Sequence, residues 1–366
     1  MTSPSSVMRP REAGYTLIEL LVSTAIMVTI TGAIFSLMNP AQGSAQTQPE
    51  VADMQQRMRI GNDTLFKELV MSGAGPYQGP VTGSLVNFFA PIIPRRLGFL
   101  NPDQPTVVKD DTVTLSYIPN SYSQTTISSA MPQPSAELKV TPQPNCPADA
   151  GNLCGFKDGM DVIIFDSSGA FDMFTITNVQ DSAAHLQHRG QDLSKAYDIG
   201  ASVTQIVSNT YYLNQATNQL MVYNGYQTDT PLVDNVVDLK FEYFGDPNPP
   251  IAPKPPLGEA NCLYDAAGNL QNLATLTADE GSLAALPLAI LKDGPMCGGG
   301  MNQFDADLLR VRKVRVTMRV QVANPSLRGS DTALFKHPGT SRGGEKFVPD
   351  YTISFEVSPR NLNLVR

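Results

Sequence analysis

The sequence predicts an α+β fold. A long N-terminal helix, membrane-embedded over its first half, packs on an antiparallel β-sheet that carries large loop insertions. Three observations predict this. An apolar run with a single charged residue fills positions 15–38. Apolar residues then recur at helical spacing from Val51 to Leu69. From about residue 110 the apolar period shortens to two, the mark of strands with one buried face.

Composition narrows the function classes. The chain has 366 residues, 42 % hydrophobic and 16 % charged, so the part beyond the apolar run has enough material for a core. A net charge of −8 argues against a general nucleic-acid binder. The 29 Pro and 28 Gly favour turns and long loops over a helical bundle. Four Cys, an even number, fit two bridges in an oxidising compartment.

The first element is the apolar run. At 1.5 Å per residue it is long enough to cross a hydrocarbon core about 30 Å thick. Arg9 and Arg11 precede it, which keeps the N-terminus cytoplasmic and sends the rest of the chain across. No small-residue cleavage signal of the secretory kind follows the run. Glu19 sits inside it. A carboxylate at mid-bilayer costs about 2.5–3.5 kcal/mol, although Glu19 lies only about 6 Å of helix rise beyond Tyr15 and so reaches toward the interface. A partner inside the apolar layer relieves that cost. The nearest such partner is an α-amino group freed by a cut before Tyr15.

The stretch "G-YTLIELLVSTAIMV" resembles the N-terminus of type IV prepilins. The resemblance covers about the first 40 residues. It implies a leader, residues 1–14, removed by a prepilin peptidase between Gly14 and Tyr15. It implies N-methylation of Tyr15, which stands where Phe or Met is commoner. It also implies that Glu19, fifth in the mature chain, pairs with the N-terminal amine of a neighbouring subunit. An ion pair in low dielectric is strong only where both partners are held, so such a pair sets axial register. Residues 15–39 become the transmembrane and filament-core helix, and 40–366 a pilin-like periplasmic or extracellular domain.

The second element is a helix over residues 50–71, separated from the first by a break at "NPAQGSAQTQP" with Pro40, Gly43 and Pro49. Val51, Met54, Met58, Leu65 and Leu69 share one face with Gly61. This stretch resembles the helical spine of PilW-like minor pilins.

The remaining elements are strands. Candidates are 112–118, 161–166, 171–179, 183–188, 202–207, 211–213, 220–223, 236–244, 310–322 and 351–357. In "VVDLKFEYF" Val237, Leu239, Phe241 and Tyr243 share a face. In "LRVRKVRVTMRVQV" the phase slips at Arg312–Lys313, as at a β-bulge. In "YTISFEV" Tyr351, Ile353, Phe355 and Val357 point one way. Arg310, Arg312, Arg315 and Arg319 make a basic face, read as cross-strand pairing with Asp238, Glu242 or Glu356 rather than as a nucleic-acid surface.

Residues 119–159 and 245–304 read as insertions outside the sheet. Sequence-local pairing gives Cys146–Cys154 and Cys262–Cys297, one of three arrangements, each stapling an exposed loop with little core of its own. Loop closure is worth about 2.6 and about 3.8 kcal/mol respectively.

Other motifs are weak. Gly339–Gly343 matches G-x-S-x-G around Ser341, but in a Gly/Pro loop rather than a strand-to-helix elbow. His185 and His188 face opposite sides of a strand. Asp158, Asp161 and Asp166 lack an ordered calcium-loop spacing. The reading therefore assigns no catalytic residue, cofactor or metal.

The landmarks "PLVDNVVDLKFEYFGD", "VRKVRVTMRVQV" and "FEVSPRNLNLV" resemble the PilW-like group. That resemblance implies a minor pilin that helps initiate pilus assembly near the filament tip. Its partners would be other minor pilins, the major pilin and the inner-membrane assembly platform. A J-type minor pseudopilin of type II secretion is the alternative in the same class. A membrane-tethered envelope enzyme or binding module is the alternative in a different one.

Overall fold

The computed structural model describes residues 14–75, 85–119, 122–144, 146–149, 151–227, 229–279, 282–341 and 347–363, with backbone alone over 38–46. Helix α1 spans Leu17–Met71, 55 residues or about 80 Å. The sequence predicts a break over residues 39–49, and the helix instead runs through it. Each proline forfeits one backbone hydrogen bond. The Ala/Gln-rich residues between the prolines favour helix, and long helical segments on both sides spare a new nucleation.

The chain then lays down β1 (Ile92–Ile93) and β2 (Thr112–Tyr117). Next come β3 (Gln124–Thr126), β4 (Leu138–Lys139), β5 (Asp161–Phe165), β6 (Phe171–Thr175), β7 (Asn178–Gln180), β8 (His185–Gln187) and β9 (Ser202–Gln205). After them follow β10 (Val207–Asn214), β11 (Gln219–Tyr223), β12 (Thr230–Asp234) and β13 (Val236–Gly245). The last are β14 (Ala284–Leu286), β15 (Met296–Cys297), β16 (Phe304–Asp305), β17 (Val311–Val320) and β18 (Tyr351–Val357).

Two antiparallel sheets form the body beside α1, ordered β1-β2-β10-β11-β12 and β14-β13-β17-β18. Leu239, Phe241, Val314, Val316, Met318 and Val320 are buried on the face toward the helix. Met54, Met58, Leu65 and Leu69 meet them. Gly61 lets the two layers close: a Cβ there would lie 2.8 Å from Met318 Cε and 2.9 Å from its Sδ. The phase slip in β17 is a bulge. Phe244 pairs with Lys313 and Gly245 with Val311, leaving Arg312 as the extra residue.

The opposite face is charged and internally paired. Arg315 reaches Glu356 at 2.6 Å, Lys313 reaches Glu356 at 2.8 Å, and Arg319 reaches Asp350 at 2.8 Å. Hydrogen bonds from Lys313 and Arg315 hold the Glu356 carboxyl below its usual range. Arg312 pairs with Asp246 at 2.8 Å. Arg310 is not on this face: it is buried against Asp307 and donates to the carbonyls of Pro247 and Ala274.

The largest departure from the sequence reading lies between β2 and β10. Residues 119–159 are not a core-poor loop. They supply β3 and β4 to a separate β unit that extends through β9. In it β3 pairs β9, β9 pairs β5, and β5 pairs β6. The predicted single strand 171–179 is divided into β6 and β7, joined through Ile176 and Thr177. β7 pairs β8, and β8 pairs β4. Ile127 and Val140, just past β3 and β4, bridge each other and close the ring. The result is a small barrel-like unit of two sheets, joined through the β6–β7 connection and this bridge. Ile127, Leu138, Val162, Ile164, Phe174, Leu186 and Val203 fill a core of its own.

Residues 245–304 remain largely irregular, yet β14 within them pairs with β13. The structure closes Cys146–Cys154 and Cys262–Cys297, with Cα atoms 5.6 and 4.9 Å apart. The first lies in the barrel unit and the second in the long loop.

The helix–sheet seam yields a test. Gly61→Leu is expected to cost about 1–3 kcal/mol by overpacking Met318 and Val233. Adding Met318→Ala to Gly61→Leu should recover part of that loss. Denaturant melts of both variants measure the coupling.

Candidate functional site

The candidate site is the N-terminal half of α1. Leu17–Leu37 is a 21-residue apolar span of mean hydropathy 2.1, and none of it is buried in its own chain. Tyr15, Leu17, Ile18, Met27, Val28, Phe35 and Leu37 are all exposed. At about 1.5 Å per residue the span matches a hydrocarbon core about 30 Å thick. Its hydroxyls are satisfied within the helix. Thr24 donates to the Leu20 carbonyl at 2.9 Å, Thr29 to Ala25 at 2.6 Å and Thr31 to Met27 at 2.7 Å. The span therefore presents no unmet hydroxyl to lipid.

Thr16 caps the helix in extended backbone, φ −76° and ψ 151°. Its Oγ1 accepts from the Glu19 N–H at 3.3 Å. Glu19 Oε2 in turn accepts from the Thr16 N–H and from Thr16 Oγ1, both at 2.9 Å. This is a capping box. The carboxylate is thus held by its own chain at the positive end of the helix dipole. Sequence reasoning weighed Glu19 against the membrane interface and against an amine, and missed Thr16. The T-x-x-E pattern ahead of an apolar run was the available signal. Gly14 and Tyr15 lie outside the helix, just before the cap.

The other candidates are not brought together. Ser341 lies in irregular chain after Gly339. His185 faces Glu137 at 3.0 Å, whereas the ring nitrogens of His188 meet the carbonyls of Gln191 and Ala136. Asp158 accepts from the Val179 N–H, Asp161 from Thr175 Oγ1, and Asp166 pairs with Lys195. Among the described residues a different acidic trio converges. One oxygen from each of Asp293, Asp305 and Asp307 lies within 4.8 Å of the others. Protein partners account for two of these. Asp305 accepts from the Gly294 and Asp307 N–H groups, and Asp307 pairs with Arg310. Burial pushes the Asp305 carboxyl up to about 6.

Residues 9–35 match the family described as the prokaryotic N-terminal methylation motif. The N-terminal segment is prepilin-like. The matched segment contains Gly14, Tyr15, Thr16 and Glu19 and most of the exposed span. A prepilin-type motif implies processing by prepilin peptidase and assembly with pilins, and it points to a structural protein. The prepilin-like start and the apolar helix fit an inner-membrane-anchored pilin or pseudopilin. No curated protein and no solved structure matches the chain.

The cap is testable in the prepilin-like chain. Thr16→Val removes the hydroxyl and should weaken the helix start by about 0.5–2 kcal/mol. Amide exchange over Leu17–Leu20 in detergent is expected to speed up, with exchange over Leu65–Leu69 unchanged.

Proposed function

We propose that the chain is a minor pilin of a type IV pilus, close to the PilW-like group, that helps initiate assembly near the filament tip. One observation carries the reading. The methylation motif leads into an apolar helix that its own domain leaves wholly uncovered, with Glu19 as the acid at its start. Such a helix needs lipid first and neighbouring helices afterwards.

In this reading the peptidase cuts between Gly14 and Tyr15, and Tyr15 is methylated. The leader carries away Arg9 and Arg11, which do not suit an apolar filament core. Glu19 then exchanges its Thr16 contacts for the terminal amine of an adjacent subunit. The precursor is a single-pass inner-membrane protein with a cytoplasmic N-terminus and a periplasmic domain. Its partners are the peptidase, other minor pilins, the major pilin and the assembly platform. Because it retains Glu19, it docks beneath or beside another subunit.

A J-type minor pseudopilin shares these features. The barrel between β2 and β10 favours the pilin, because J-type domains are usually shorter and lack large insertions. A tethered envelope enzyme has no need of the motif.

Intact-mass and N-terminal peptide spectrometry of the purified chain tests the reading. The expected terminus is methylated Tyr15. An intact Met1, or a cut after Ala45, would refute it.

A further inference from the structure

The barrel joins the body through adjacent strands, since Tyr117 at the end of β2 pairs with Val207 at the start of β10. Beyond this two-strand root the barrel rests on the body through Ile163, Phe165 and Phe171, which share the body's core cluster, with Phe165 edge-on to Phe88 and Phe89. The loop between β13 and β17 crosses from the body to the barrel. On the body side, Arg310 holds the Pro247 and Ala274 carbonyls at 3.0 and 2.8 Å. The buried Arg95 holds those of Met301 and Gln303 at 2.8 and 2.7 Å. On the barrel side, Asn261 Nδ2 donates to the Ser167 carbonyl at 2.9 Å, and Asn302 Nδ2 to Asp172 Oδ1 at 2.8 Å.

Both barrel contacts lie beside the Cys262–Cys297 bridge. Asn261 precedes Cys262, and Asn302 follows Cys297 by one short turn. The bridge itself abuts the barrel: a Cβ on Gly169 would lie 3.2 Å from the Cys297 Cβ. Between the parts sits a sealed aromatic cluster. Phe89 stacks on Phe171 with centroids 4.8 Å apart, and Phe304 from the loop meets Phe171 at 6.2 Å. Phe89, Phe171 and Phe304 are each 1 % exposed.

We propose that residues 245–279 and 282–304, closed by Cys262–Cys297, are a strap that locks the barrel in one orientation on the pilin-like body. The two bridges then have different roles. Cys146–Cys154 joins positions 8 apart within the barrel unit, whereas Cys262–Cys297 joins positions 35 apart that grip it from outside. Breaking the second frees both asparagine contacts and opens the aromatic cluster, while the barrel interior around Phe174 and the helix–sheet core around Phe241 stay packed. The barrel becomes a domain swinging on its root. The inference does not depend on the pilus assignment.

Hydroxyl-radical footprinting of the full-length chain in detergent tests this. In the Cys262→Ser, Cys297→Ser double variant, oxidation of Phe89, Phe171 and Phe304 should rise about tenfold. Phe174 in the barrel core and Phe241 in the body should stay protected. Asn302→Ala, with both bridges intact, should raise the same three residues by a smaller factor. The Cys146→Ser, Cys154→Ser pair should leave them unchanged. Unchanged Phe89, Phe171 and Phe304 in the first variant would overturn the strap. So would Phe174 oxidising alongside them, which would make the bridge a requirement for folding rather than for docking.

Discussion

An apolar helix half that its own chain never covers is the constraint on which the rest of the molecule depends. The outer half of α1 spends its apolar face on the sheets, through Met54, Met58, Leu65 and Leu69. The inner half has no sheet to meet, and Leu17–Leu37 stays bare. Apolar surface on that scale is stable only in lipid or against other helices. The same rod that fixes the globular body therefore leaves its free end for lipid or for other helices. In the proposed function Glu19 makes that end specific. The capping box satisfies the carboxylate while the chain is alone, so holding it there costs little. Under the proposed function, docking needs only to exchange partners, not to rescue a bare charge.

Beyond the helix the molecule is built in two parts: the barrel has an interior of its own and meets the body's core through Ile163, Phe165 and Phe171. The body sheets are a helix-covered layer with a charged outer face. The barrel fills an interior of its own between its two sheets. Its root by β2 lies near the C-terminal end of α1: the Ser116 carbonyl accepts from the Gly73 N–H, and the Ile118 N–H donates to the Ala74 carbonyl. The barrel thus hangs from the end of the rod opposite the apolar segment.

Much of this was legible because the patterns were long. β13, β17 and β18 show alternation over 10, 10 and 7 residues, and the bulge at Arg312 is visible as a slip in phase. The helical face with Gly61 needed only spacing. The barrel was not legible, for a physical reason. β3 and β4 are 3 and 2 residues long, too short for any period to register. Their order comes from closure by distant pairs such as Val162 with Gln205. Pro40 and Pro49 misled in the other direction, since a local breaker weighs less than two long helical flanks. Thr16 was legible and overlooked, because the acid three residues on drew all the attention.

The account rests on charge at one position, which a single conservative change isolates. Glu19→Gln keeps a side-chain carbonyl that accepts from the Thr16 N–H, so the helix cap survives while the charge is lost. Quantifying this variant in membranes and in sheared surface filaments is the most direct measurement. The account predicts wild-type amounts in the membrane and near-complete loss from filaments. Incorporation into filaments at the wild-type level would contradict it.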